Sequence, residues 1–221
     1  MRRRLIFIGL AALAVPASFV SAPYPRELVL QHVPTVVGLA LLGVAVTRFR
    51  PSVVSFTCSL SFLLLHMVGA RWIYSYVPYD AWVASMTGHT ISEIFNWERN
   101  HYDRMVHLAS GLLGLPVFSE FLQSFYRLRP IPAAFLAMSC VLAIGAIYEI
   151  FEWQIAMVFS PEMAESYNGQ QGDVWDAQKD MALAWLGAVL CFPFIFRWTP
   201  RADANVNQHQ ELEADQTRLG V

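Results

Sequence analysis

Residues 131–159 read IPAAFLAMSCVLAIGAIYEIFEWQIAMVF, and Glu149 and Glu152 are the only charged residues in this stretch. The hydrocarbon core of a bilayer is about 30 Å thick, and a helix of roughly 20 apolar residues crosses it. The stretch is long enough to cross at a tilt or to project beyond the bilayer. It therefore predicts a transmembrane helix with two carboxylates near one end.

The composition of the whole chain agrees with a membrane protein. Of its 221 residues 56% are hydrophobic and 14% are charged, and the mean hydropathy is +0.41. Soluble domains carry about 25% charged residues, so this chain lacks the charge that a water-facing surface needs. The high hydrophobicity excludes disorder for most of the chain. A formal net charge of −2 argues against a nucleic-acid partner and leaves the lipid bilayer as the predicted partner.

Six apolar runs approach the length of a membrane span, which predicts an all-α, polytopic bundle forming one domain over residues 1–200. The predicted transmembrane helices are residues 5–22, 28–47, 52–70, 104–126, 131–159 and 177–196. The first run follows three arginines, as the apolar segment of a signal peptide does. Cleavage would make Pro23 the first residue of the mature chain, where signal processing is poor, so we expect an uncleaved helix. Residues 201–221 are polar and lack apolar periodicity, which predicts a disordered cytoplasmic tail.

Basic residues predict the orientation of these helices, because cytoplasmic flanks carry an excess of Lys and Arg. The flanks on the side of the N-terminus are the richer ones, with Arg2, Arg3, Arg4, Arg48, Arg50, Arg127, Arg129, Arg197, Arg201 and Arg218. Both termini of the six-helix bundle are therefore predicted to be cytoplasmic.

Two packing features follow from the same arrangement. Glu120 lies near the predicted inner face, where we expect it to pair with Arg127 or Arg129. The spacings Ser110-x-x-x-Gly114 and Ala184-x-x-x-Ala188 place small residues where two membrane helices could approach closely.

The ionisable residues of four predicted helices fall at one level, the outer membrane boundary. Asp103 and His107 are spaced i,i+4, and Glu149 and Glu152 are spaced i,i+3, so each pair shares a helix face. The same level holds Asp173, Asp176, Asp180, His66 and His101. Because ionisable groups in a membrane normally face the bundle interior or water, we expect a polar chamber open to the periplasm.

The acids of this chamber outnumber its bases, so protons or bound cations must offset their charge. Imidazoles with carboxylates suit Zn²⁺ or Mn²⁺, and carboxylates alone suit Mg²⁺. The predicted ligands of a divalent metal are His101, His107, Asp173, Asp176, His66, Asp103 and Asp180. We expect Glu149 or Glu152 to act as a general base, and Arg99 and Arg104 to hold an anionic group. Taken singly, these residues also fit interfacial charges, helix caps or a core histidine.

Several strings in this region resemble one bacterial family. They are FNWERNHYDRMVH at residues 95–107, YEIFEW at 148–153, QGDVWDAQKDM at 171–181, and HMVGA at 66–70 followed by Tyr74 and Tyr76. They are similar to the YjdF family of inner-membrane proteins, and the resemblance covers most of residues 28–197. It implies a multi-pass protein of the bacterial inner membrane. It implies no activity, because the family is a domain of unknown function.

Three functions remain open at this point. The first is a metal-dependent enzyme acting on a lipid or lipid-linked substrate from the outer leaflet. The second is a noncatalytic scaffold whose acids and bases pair across helices. The third is a proton- or cation-linked transporter, which is the least favoured because the inner halves of the third, fifth and sixth helices offer only hydroxyls and thiols.

Overall fold

The computed structural model describes residues 1–158 and 171–195, and in those residues the chain forms eight α-helices and no strand. The helices are α1 (Arg2–Ala17), α2 (Pro25–Val44), α3 (Val53–Arg71), α4 (Tyr79–Thr87), α5 (Ile91–Phe95), α6 (Tyr102–Tyr126), α7 (Pro130–Val158) and α8 (Asp176–Cys191). A π-helical turn, Ala45–Phe49, extends α2, and a 3₁₀ turn, Phe192–Phe194, follows α8. The prediction of an all-helical protein is confirmed.

Four of the described segments are long and apolar enough to cross a membrane. They are Pro25–Phe49, Val53–Arg71, Tyr102–Tyr126 and Pro130–Val158, which coincide with the four middle spans of the predicted six. The helices at the other two predicted spans, α1 and α8, have 16 residues each. This length is short of the roughly 20 residues that a bilayer requires. The predicted tail at residues 201–221 lies outside the described residues.

Helix α6 is the centre of the bundle, because it packs against α3, α7 and α8, while α1 and α2 join the bundle through α3. Its closest crossing is with α8, where glycines remove the side chains between two backbones. A Cβ atom on Gly111 would lie 1.8 Å from the carbonyl oxygen of Ala184, and one on Gly187 would lie 2.1 Å from that of Leu108. Such close approach is typical of helix association in lipid, where packing replaces the hydrophobic effect.

The small-residue spacings predicted one side of this crossing correctly. Ala184 and Ala188 of α8 both lie against Gly111. The α6 spacing, Ser110 with Gly114, is not the contact, because Gly114 lies beside Val141 of α7 instead. Adjacent residues of a helix point about 100° apart, so Ser110 and Gly111 face different neighbouring helices although they are one residue apart.

Glu120 joins α6 to the start of α3. Its carboxylate accepts hydrogen bonds from the backbone N–H of Ser52 at 2.6 Å, from the hydroxyl of Ser55 at 2.5 Å, and from the hydroxyl of Ser52. We expected Glu120 to pair with Arg127 or Arg129, but its carboxylate oxygens are instead bound by donors at the start of α3. The N-terminus of a helix has unpaired N–H groups and a positive dipole end, which makes it a good partner for a carboxylate.

A segment with two short helices, α4 and α5, lies between α3 and α6. A capping box at Thr90 and Glu93 starts α5, and Asp80 accepts hydrogen bonds from the backbone N–H and hydroxyl of Ser92. Exposed aromatic and aliphatic side chains, including Trp82 and Phe95, remain on its surface. Aromatic residues of this kind are enriched at the headgroup level of membranes.

Candidate functional site

The polar end of the bundle is assembled by two loops that hydrogen-bond to each other. The backbone N–H of Asn100 donates to the side-chain oxygen of Gln171 at 3.0 Å, and the side-chain amide of Gln171 donates to the carbonyl of Asn100 at 3.1 Å. The Asn100 amide also donates to the carbonyl of Val77. These contacts fix the segment that precedes α6 against the segment that leads into α8.

Two arginines of the first loop and α6 meet two aspartates of the second loop and α8. The Arg99 guanidinium lies 3.0 Å from Oδ1 of Asp176, and the Arg104 guanidinium donates to Asp176 at 2.5 Å and to Asp173 at 2.9 Å. The planar fork of arginine suits this bridging of several carboxylates. The arginines are thus counterions of these two aspartates, which we had expected to bind a metal.

Asp173 lies at the outer edge of this network. Its carboxylate accepts hydrogen bonds from the Lys179 ammonium at 2.6 Å and from the backbone N–H of Trp175 at 3.1 Å. The hydrogen bond from Lys179 and then that from Trp175, with the charges of Lys179 and Arg104, lower the pKa of Asp173 to about 2. Asp173 is therefore ionised and fully engaged at neutral pH.

Deeper in the bundle, Asp103, His107 and Asp180 bring one ligand atom each within 4.8 Å of one another. Asp103 and His107 are each 9% exposed and Asp180 is 1% exposed. The His107 Nε2 atom lies 3.7 Å from Oδ1 of Asp103 and 3.7 Å from Oε1 of Glu149. Ligands about 2.0–2.2 Å from a tetrahedral ion lie roughly 3.3–3.6 Å from one another. The 3.7 Å between His107 and Asp103 is close to this spacing, and Asp180 lies within 4.8 Å of both.

Two carboxylate oxygens of this group are buried without a hydrogen-bond donor among the described residues. They are Oδ1 of Asp180 and Oε1 of Glu149. The nearest cation to the first is Arg104, whose Nε is 3.4 Å away but does not form a hydrogen bond with it. Buried polar atoms are nearly always paired, since leaving one unpaired costs free energy. A cation held by Asp103, His107 and Asp180 would supply the missing partner of the Asp180 carboxylate.

Two predicted histidine ligands, His66 and His101, are not members of this group. His66 lies within hydrogen-bonding distance of the Gln31 carbonyl, at 3.0 Å from Nε2, and of the Tyr74 hydroxyl at Nδ1. The ring of His101 lies against that of Trp97, with centroids 4.3 Å apart and the two planes tilted by 35°. Burial, with the charges of Arg99 and Arg104, lowers the pKa of His101. Both imidazoles therefore have local structural partners.

The two predicted bases of α7 differ in position. Glu149 contacts His107 as described above, whereas Glu152 lies one turn further along, half-buried and hydrogen-bonded by Tyr148. Tyr148 also lies edge-on to His107, with ring centroids 6.3 Å apart. Sequence reasoning missed Tyr148 and Tyr74, although both occur within the strings that carry the family resemblance.

A cavity of about 500 Å³ extends from the Asp103 and His107 end between α2, α3, α6 and α7. Its polar end is formed by His66, Tyr74, Asp103, His107 and Tyr148, and most of the remaining lining is apolar. Volumes of this size are typical of pockets for small molecules. The candidate metal group therefore borders a space that could hold an amphiphilic ligand.

Comparison with known proteins agrees with a membrane location. The family model described as "Predicted membrane protein (DUF2238)" matches residues 3–201. The chain is similar to the Escherichia coli (strain K12) protein named "Inner membrane protein YjdF", with 31% identity over 166 residues, which cover 75% of each chain. No solved structure matches the chain.

Proposed function

The chain belongs to the DUF2238 family of predicted membrane proteins, and we propose that it is a membrane-embedded, metal-dependent enzyme acting on a lipid or lipid-linked substrate. The proposal includes six membrane-spanning helices, with both termini in the cytoplasm and the site on the periplasmic side of a bacterial inner membrane. The asymmetry of Lys and Arg supports this orientation. The printed name of the E. coli relative supports the membrane.

The observation that carries the proposal is that two buried carboxylate oxygens, Oδ1 of Asp180 and Oε1 of Glu149, accept no hydrogen bond from the described residues. Arg104 lies 3.4 Å from the first and His107 lies 3.7 Å from the second. A noncatalytic scaffold that used its acids only for ion pairs would give each buried oxygen a donor, as Asp173 and Asp176 have. The set of one imidazole and two carboxylates at His107, Asp103 and Asp180 suits Zn²⁺ or Mn²⁺. The arrangement therefore favours a cation site over a scaffold.

A divalent ion held by these residues would polarise a phosphoryl or carbonyl oxygen and acidify a water molecule. Glu149 is the best-placed general base, because its Oε1 lies 3.7 Å from His107 and has no hydrogen-bond donor among the described residues. Arg104 acts as a positioning residue, since its Nε lies 3.4 Å from the Asp180 carboxylate. Arg99 and Arg104 act here through the aspartates rather than by holding an anionic substrate.

The first test is elemental analysis of the detergent-purified full chain after separate loading with Zn²⁺, Mn²⁺ and Mg²⁺. We expect a near-stoichiometric ion that is lost in Asp180→Asn and in His107→Gln. The matched controls are Glu98→Gln and His89→Gln, whose parent side chains are exposed, and both should keep the ion. Failure of all three metals to bind, or retention of metal by both folded site variants, would show that the metal assignment is wrong.

The second test concerns catalysis. Metal-loaded protein in vesicles of E. coli phospholipid is assayed for released headgroups by mass spectrometry. Release should disappear in Glu149→Gln while the metal content stays near that of the parent protein. Release that is equal in Glu149→Gln and the parent would remove Glu149 from the mechanism, and metal binding without any release would contradict a phospholipid substrate.

A further inference from the structure

The cavity that borders the candidate metal group has a shape as well as a volume. Its lining on α6 runs from Asp103 to Phe118, a distance of roughly 22 Å along a helix at 1.5 Å per residue. The cavity is therefore elongated along α6, which suits a chain-like ligand better than a compact one.

The two ends of the cavity differ in chemistry. The end at His107 carries imidazole, carboxylate and phenol groups, while the far end is lined by apolar residues such as Leu42, Val117 and Phe118. This order, polar at one end and apolar along the remaining length, is that of an amphiphile with a headgroup and one chain. Water gains little from the apolar part, because such a lining offers it few hydrogen-bond partners.

The cavity has access to the bilayer between α2 and α7. Helix α2 packs on α3, and α7 packs on α6 and α8, while α2 and α7 make no substantial contact in the described residues. Leu41 of α2 and Ile144 of α7 both line the cavity, yet they are 63% and 51% exposed. On helices that cross a bilayer, exposed apolar side chains such as these would contact lipid tails. The floor of this opening is formed by α3 and α6.

We propose that this cavity binds one acyl chain of a bilayer phospholipid, which enters sideways between α2 and α7 with its headgroup toward Asp103 and His107. This proposal extends the proposed function by naming the part of the substrate that is bound. It rests on the proposed function only for the reaction at the headgroup. Binding of the chain itself depends on the apolar lining, so it does not require the metal. The bilayer supplies the ligand at high local concentration.

The test uses the full chain in phosphatidylethanolamine vesicles that contain phosphatidylethanolamine with a diazirine at the middle of one acyl chain. After irradiation, labelled residues are mapped by mass spectrometry. We expect labels on cavity residues of the two floor helices, Phe62 of α3 and Gly114 of α6. Labels found only on residues outside the cavity, such as the exposed Leu64, would overturn the proposal.

A matched pair of variants on α3 sharpens the test. Ser59 lines the cavity, so Ser59→Phe should fill it and abolish the label on Gly114. Thr57 is exposed and lies outside the lining, so Thr57→Phe should leave that label unchanged. If Ser59→Phe does not fold, Val117→Phe fills the same space from α6. A label on Gly114 that survives the folded filling variant would overturn the chain site.

The labelling result and the metal result can fail separately. Labelling is repeated after treatment with EDTA, and we expect the same labelled residues. A chain that binds no metal but is labelled inside the cavity contradicts the metal assignment alone. A chain that binds metal but is not labelled inside the cavity contradicts the acyl-chain site alone.

Discussion

Substitution of Gly111 by alanine tests the link between helix packing and the metal group. The added Cβ would lie 1.8 Å from the Ala184 carbonyl oxygen and 2.6 Å from the Ala188 nitrogen. Both are backbone atoms, so no side chain can rotate away. Ordinary contacts are about 3.5 Å or longer, so α6 and α8 must separate by roughly 1.7 Å. Forced overpacking of this kind typically costs about 1–3 kcal/mol.

Separating α6 from α8 should also move the three candidate metal ligands apart, because Asp180 lies on α8 while Asp103 and His107 lie on α6. Metal ligands must hold their distances to within about 0.2 Å, which a displacement of roughly 1.7 Å exceeds. We therefore expect Gly111→Ala to lower the midpoint of thermal unfolding in detergent and to lose bound metal. The two measurements are made on the same preparation.

Gly43→Ala is the matched control, because a Cβ there meets no atom of the described residues within 4 Å. Alanine should leave the control as stable as the parent, or more stable by up to about 1 kcal/mol through its helix propensity. The reasoning is refuted if Gly111→Ala unfolds at the same midpoint as Gly43→Ala and keeps its metal. A double variant, Gly111→Ala with Gly187→Ala, should cost less than the sum of the single variants, since one separation relieves both clashes.

Three further predictions concern the polar contacts. Glu120→Ala should lower the free energy of unfolding by about 2 kcal/mol, because it leaves hydrogen-bond donors at the start of α3 unpaired, while the metal content stays unchanged. An unchanged midpoint of thermal unfolding would contradict the role of Glu120 in joining α6 to α3. Arg104→Lys should lower the free energy of unfolding by about 2 kcal/mol, and with it the midpoint of thermal unfolding, because an ammonium cannot bridge three carboxylates. A midpoint equal to that of the parent would exclude the bridging role. The carboxylate of Asp173 lies beside Lys179, Arg99 and Arg104, and its pKa is lowered in the folded protein. Its contribution to stability is therefore complete above about pH 4 and is lost as the pH falls toward 2. Asp173→Asn should therefore lose less stability than the parent between pH 5 and pH 2.5, and parallel curves would argue against the prediction.

The sequence could predict where the helices lie and which charged residues share one face of a helix. The apolar runs locate α2, α3, α6 and α7, and the i,i+4 spacing of Asp103 and His107 brings their side chains together on α6. These features depend only on local periodicity and on the length that a bilayer requires. That the group binds a metal stays a prediction.

The rotation of each helix could not be predicted, and it decides which acids meet which bases. In a soluble helix an apolar stripe marks the buried face, but α6 and α7 carry apolar residues on all sides, so no stripe distinguishes lipid from core. The sequence therefore could not show that Arg99 and Arg104 face Asp176 rather than a substrate. It also could not distinguish Gly111 from Gly114 as the contact with α8.

The pairing of Arg104 with α8 has a consequence for biosynthesis. Asp176 follows Arg104 by 72 residues, and ribosomes add about 5–20 residues per second, so the arginine is made roughly 4–14 s before its counterion. During that interval the nascent α6 carries a guanidinium whose aspartates do not yet exist. A ribosome that stalls before α8 would release a chain with this cation unpaired, and such a fragment would be a natural substrate for membrane quality-control proteases.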